Sequence, residues 1–185
     1  MEFLTQLWLP ILVSSVVVFI LSAIAWTVMP HHKTDYGQLP NQDAVQQLMR
    51  ENPPAPGQYS MPWAASMKAL EDPAMKEKLA KGPRAFLTVV PNGSPAMGPM
   101  MARSFLFYVV VSVLVGYVTW HALGAGADYL AVFRIAGTTA AMAHTLASVP
   151  DSIWFGRPWG TYGKQVADGV VFALFTAGVF GWLWP

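Results

Sequence analysis

Histidine is the strongest ligand type in this chain, which has four histidines and no cysteine. Without thiols there is no disulfide, no thiolate site and no sulfur nucleophile, so any metal or haem must be held by nitrogen and oxygen. His121 and His144 are the candidates for haem or another cofactor. On two helices joined by a turn near Gly124–Gly126 they fall roughly 20 Å apart along the axes, at about 1.5 Å per residue. They cannot ligate one iron within this chain, and either would need a cofactor shared with another chain. The expectation is packing histidines and no cofactor.

His31 and His32 are adjacent and close the first apolar segment. With Asp35, and with His144 and Asp168 able to reach the same layer, they form a candidate nitrogen–oxygen metal site. Neighbouring residues on an α-helix point about 100° apart, so a turn must bring both imidazoles to one ion. Without that turn their expected role is positioning at the membrane surface. The remaining charged candidates are few. Asp128 and Arg134 lie near one end of the third apolar segment, where Arg134 is expected to pair with Asp128, to snorkel, or to meet an anionic headgroup. Lys164 and Asp168, spaced i,i+4 at the start of the fourth, predict a local helix pair in the less favourable order.

These groups need elements to carry them. Residues 3–29 and 104–127 contain no Asp, Glu, Lys or Arg, and two further apolar stretches run over about 129–149 and 165–184. Each is long enough to cross about 30 Å of hydrocarbon. Charged residues make up only 11% of the chain, against ~25% in an ordinary soluble domain. The fold class expected is an all-α integral membrane protein with four transmembrane helices. The divisions are a first helix over 1–29, an irregular Pro/Gly-rich segment with short helices over 30–102, and a three-helix part over 103–185. Its helices cover about 103–123, 129–149 and 164–184. A signal-peptide reading of the first segment is disfavoured, because Glu2 is the only charge before a long apolar run.

Lys and Arg mark cytoplasmic connections. Eight of the eleven lie between residues 30 and 103, and Arg157 and Lys164 lie in the last connection. The orientation expected has both termini outside and 30–102 cytoplasmic, in a bacterial inner (plasma) membrane. Trp8, Trp26, Trp120, Trp182 and Trp184 sit near segment ends, as an aromatic belt does. Within the 30–102 segment, Asn41 or Asp43 can cap a helix running to about Glu51. Met61–Leu70 can form another, and Asp72-Pro73 starts a third that ends near Lys81 before Gly82. Phe86–Val90 is a short apolar run suited to a strand or a membrane-surface contact. Lys76, Lys78 and Lys81 suit that third helix to an anionic leaflet.

In the fourth segment Gly169, Ala173, Ala177 and Gly181 recur every fourth residue and make one smooth face, with Ser112 and Gly116 as a shorter version in the second. They are the expected helix-packing residues. The connection holding Trp154, Phe155, Arg157 and Trp159 combines aromatics with one guanidinium. It is expected to contact a protein neighbour or lipid phosphate rather than to catalyse. There is no nucleotide loop, no zinc-protease motif, no deep carboxylate pair and no inverted repeat. A net charge of +1 gives no basic field for nucleic acid. The function expected is therefore a non-catalytic accessory or structural subunit of a larger membrane complex, with other membrane subunits and phospholipids as partners. The alternatives are a haem- or metal-binding redox subunit, and a small-molecule carrier or membrane enzyme acting through Arg134 or Asp168.

Overall fold

A computed structural model describes residues 2–185. The elements run α1 (Glu2–Thr27), a 3-10 turn (Pro30–Thr34), α2 (Gln42–Glu51), β1 (Gly57–Met61), α3 (Met67–Leu70), α4 (Pro73–Lys81) and β2 (Ala85–Val89). They continue with α5 (Met97–Leu123), α6 (Tyr129–Thr145), a 3-10 turn (Leu146–Ser148), α7 (Val149–Trp154) and α8 (Trp159–Trp182). Four helical segments are long and apolar enough to cross a membrane: α1, α5, α8, and α6 continued through the turn and α7 to Trp154. The third segment thus ends five residues beyond the expected 149, and its last part is no longer one straight helix. The chain forms two compact units, Met1–Tyr36 with Ala96–Pro185, and Gly37–Pro95.

The first unit is the helix bundle. Its core joins Leu7 and Ile11 of α1, Val111 and Val115 of α5, Val132, Ala136 and Ala140 of α6, and Ala173 and Phe180 of α8. Several polar groups inside it find partners, as hydrocarbon favours, while Ser148 Oγ, Ser152 Oγ and Gln165 Oε1 are buried without one among the described residues. The hydroxyl of Ser14 donates to that of Ser112 at 2.9 Å, linking α1 to α5. Thr119 and Thr145 donate to carbonyls one turn back in their own helices.

The small-residue stripe of α8 is used within the chain. α6 and α8 form the most extensive helix pair. A Cβ on Gly169 would stand 2.8 Å from Thr145 Cγ2 and 3.1 Å from the His144 carbonyl oxygen. One on Gly181 would stand 2.7 Å from the Tyr129 ring. Ala173 and Ala177 are buried between these two contacts. In α5, a Cβ on Gly116 would meet Phe180 at 3.3 Å, so the second small-residue site receives a ring from α8.

Gly169→Ala should therefore force α6 away and destabilise the detergent-solubilised protein by about 1–3 kcal/mol, the usual cost of overpacking. Gly163, also in α8, has open space around its Cβ position. There the same substitution should stabilise by up to ~1 kcal/mol through helix propensity. Thermal or SDS-induced unfolding of the two variants checks the contrast, and equal effects would refute the close α6–α8 approach.

The second unit holds an antiparallel hairpin, β1 paired with β2 from Gly57↔Val89 to Met61↔Ala85, and the short helices α2, α3 and α4. α4 begins and ends where its capping residues dictate. The Asp72 side chain accepts from Ala74 N at 2.8 Å, Pro73 occupies the first turn, and Gly82 closes the helix at φ 62°. The expected Met61–Leu70 helix is different: Met61 ends β1, and only Met67–Leu70 is helical. No residue from Gly37 to Pro95 is buried.

Candidate functional site

The chemistry gathers where α1 ends and α8 begins. Pro30 opens a 3-10 turn directly after the first membrane helix, with Met29 extended before it. The three-residue turn rotates successive side chains differently from an α-helix. That step is about 120° per residue rather than about 100°, yet the His31 and His32 rings lie close, with centroids 4.2 Å apart and planes tilted by 41°. The Trp26 indole stacks flat on His32, at 4.0 Å and 5°.

Both imidazoles turn toward Asp168, one helical turn beyond Lys164 in α8. His31 Nε2 is 3.0 Å from Asp168 Oδ1, and His32 Nε2 is 2.6 Å from Asp168 Oδ2. The second nitrogen of His32, Nδ1, is 2.6 Å from Asp35 Oδ2. Asp35, with its side chain 1% exposed, also accepts from Lys164 Nζ at 2.7 Å. Lys164 Nζ donates in addition to Thr34 Oγ1 at 2.7 Å. Lys164 and Asp168 thus do not form the local pair expected from their spacing. Each reaches across to the turn after α1, where better-placed partners wait.

The electrostatics follow from this geometry. Burial works against a charged His32, but its hydrogen bonds to Asp168 and Asp35 outweigh it and raise the pKa above the usual 6.5. The bonds from Lys164 and His32, opposed by burial, hold the Asp35 carboxyl below its usual 3.8. The contribution of His32 to stability is therefore whole below pH 6.5 and is lost as pH rises through its raised value. That of Asp35 is whole above pH 3.8 and is lost as pH falls through its lowered value. Unfolding midpoints measured without added metal should form a plateau between these limits and drop on the alkaline side. His32→Gln should flatten the alkaline drop, and an unchanged alkaline limb in that variant would sink the assignment.

The other sequence candidates lie elsewhere. His144 sits among the rings of Phe107, Tyr108 and Phe172, with Phe172 nearest at 5.7 Å. His121 packs against Tyr117 and Phe3 at the other end of the bundle. Neither belongs to the His31–His32–Asp168 group. Arg134 is exposed and makes no ion pair with Asp128 among the described residues. Arg157 lies 3.9 Å from Asp151, and Trp154, Phe155 and Trp159 around it are exposed.

A second candidate surface occurs in the Gly37–Pro95 unit. An open groove of about 370 Å³ is lined by Met61, Pro62, Met67, Leu79, Arg84 and Phe86, among others. Trp63, beside it in sequence, is 69% exposed, and Met67 is 79% exposed. The sequence signal for this surface was the density of Pro and Gly, which limits regular packing, combined with scattered large apolar residues.

No known protein family matches the chain, and no characterised protein or solved structure matches it either.

Proposed function

We propose that this chain is a non-catalytic accessory or structural subunit of a larger membrane protein complex. The Gly37–Pro95 unit carries this reading. It is ordered into helices and a hairpin, yet none of its residues is buried. Ordering a chain costs about 1–2 kcal/mol per residue in conformational entropy, normally offset by apolar burial. Here Trp63, Met67 and Phe86 keep much of their apolar surface in the open. Tryptophan, methionine and other aromatic residues are the types enriched where proteins meet. A neighbouring membrane subunit covering the groove would supply the missing burial.

Phospholipids complete the proposed environment. Lys76 and Lys78 on α4, and Arg134 and Arg157 in the bundle, suit anionic headgroups. The proposed orientation has 30–102 on the cytoplasmic side of a bacterial inner membrane. Its supports are the crowding of Lys and Arg into that segment and the bond from Lys164 to Asp35, which joins the two basic connections at one end of the bundle.

The test is mild-detergent extraction of tagged chain from native membranes, followed by native electrophoresis and partner mass spectrometry. A partner in fixed stoichiometry is expected, lost in the Trp63→Asp, Met67→Asp double variant while the chain still inserts. Repeated recovery of a monodisperse monomer, or a partner indifferent to the double variant, overturns the reading.

A further inference from the structure

We propose that His31, His32 and Asp168 bind one divalent transition-metal ion of the zinc class, with Asp35 orienting His32 and one coordination position left to water or an outside ligand. The three residues offer ligand atoms that all lie within 4.8 Å of one another. A tetrahedral ion with bonds of about 2.0 Å places its ligand atoms roughly 3.3 Å apart. From the single oxygen Asp168 Oδ2 the separations are 3.3 Å to His31 Nε2, equal to that edge length, and 2.6 Å to His32 Nε2, somewhat shorter. Small outward rotations of three side chains would admit the ion.

The surroundings have the form of a metal shell. A ligating histidine ordinarily gives its second N–H to a carboxylate, which fixes the tautomer and aims the other nitrogen at the ion. His32 does this: Nδ1 donates to buried Asp35, and Nε2 faces the focus of the cluster. Asp35 is itself held by Lys164. The Trp26 indole, stacked on His32 at 4.0 Å, fixes the plane of that ring. A ring so constrained pays little ordering entropy on binding an ion.

Two imidazoles and one carboxylate favour borderline ions such as Zn²⁺ over Mg²⁺ or Ca²⁺, which prefer all-oxygen shells. His31 and Asp168 are part-exposed, so an ion can reach the site from water. Three protein ligands leave the fourth position open, as in zinc sites that hold an exchangeable water. The ion would also tie the end of α1 to α8 directly.

The test uses the full chain, chelator-treated, in detergent micelles or nanodiscs, and is independent of any protein partner. Titration with Zn²⁺ should give saturable binding of one ion per chain by calorimetry. Co²⁺ should give the intense visible absorption of a four-coordinate site. His32→Ala and Asp168→Asn should abolish both signals, while His121→Ala and His144→Ala leave them intact. Asp35→Asn, which keeps side-chain shape, should weaken affinity about 10–100-fold without changing stoichiometry, the usual effect of removing an outer-shell partner. Circular dichroism and gel filtration confirm that each variant is folded. Folded wild type that binds no ion, or binding that survives His32→Ala and Asp168→Asn, overturns the proposal.

Discussion

Replacing Asp168 with alanine is expected to destabilise the bundle by about 2–3 kcal/mol and to release the turn that follows α1. One carboxylate serves both His31 and His32. Hydrogen bonds to charged groups contribute about 1.5–3 kcal/mol, more than neutral ones. The side chain is 17% exposed, so water can replace part of what is lost, and the cost stays below the 3–5 kcal/mol of a fully buried pair. Asp168→Asn keeps an acceptor oxygen in place and should lose less than half as much. Hydrogen exchange of the amides around residues 31–35 reads the local effect. If those amides exchange no faster in Asp168→Ala, the carboxylate does not hold the turn.

Phe180→Ala should cost a similar amount for a different reason. Phe180 is fully buried and is the largest such side chain. Its ring reaches Gly116 of α5, and together with Leu7 and Ile11 of α1 it fills the space left by the absent Cβ there. In water-soluble proteins Phe→Ala removes both transfer energy and packing, about 3–5 kcal/mol. Between membrane helices the transfer part largely vanishes, since lipid is as apolar as the core. What remains is the cavity: about 100 Å³ at roughly 24 cal/mol per Å³ gives about 2–3 kcal/mol. Equilibrium unfolding in mixed micelles measures it. A loss under about 1 kcal/mol would mean that neighbouring helices collapse into the space, and that the three-helix contact at Gly116 is loose.

The membrane helices were legible because hydrocarbon demands long uninterrupted apolar runs, and composition over some twenty residues reports that directly. α4 was legible for a local reason as well, since Asp72, Pro73 and Gly82 set its two ends through their own backbone preferences. The hairpin was not. Gly57–Met61 does alternate, with Tyr59 and Met61 between polar Gln58 and Ser60, but five residues beside Pro56 and Pro62 are too short a run to mark a strand, and its partner 85–89 lies far along the chain. Pairing across that separation leaves little local mark, so sequence alone assigns Met61 to a helix.

At the end of the bundle where α1 meets α8, the layer expected from residue types held His31, His32, Asp35, His144 and Asp168; four of them meet, and His144 lies instead among aromatic rings. Connectivity was harder. The i,i+4 spacing suggested that Lys164 and Asp168 serve each other, but spacing along one helix says nothing about acceptors brought in by another. The turn that aligns two neighbouring imidazoles was recognised as a requirement. The chain does leave the α-helix there, in the 3-10 turn that Pro30 opens, but what both rings share is Asp168, whose carboxylate accepts from each.

α8 is fastened at both extremities. Near its start, Lys164 and Asp168 bond the 31–35 turn. Just past its other end, Trp184 Nε1 donates to the Gly124 carbonyl at 2.9 Å, and Gly126 N donates to the Pro185 carbonyl at 2.7 Å. A screw displacement by a single residue, about 1.5 Å of slip with about 100° of rotation, would break both fastenings at once. Sliding or turning the fourth helix therefore carries the cost of both sets of bonds together, whichever end the displacement begins from.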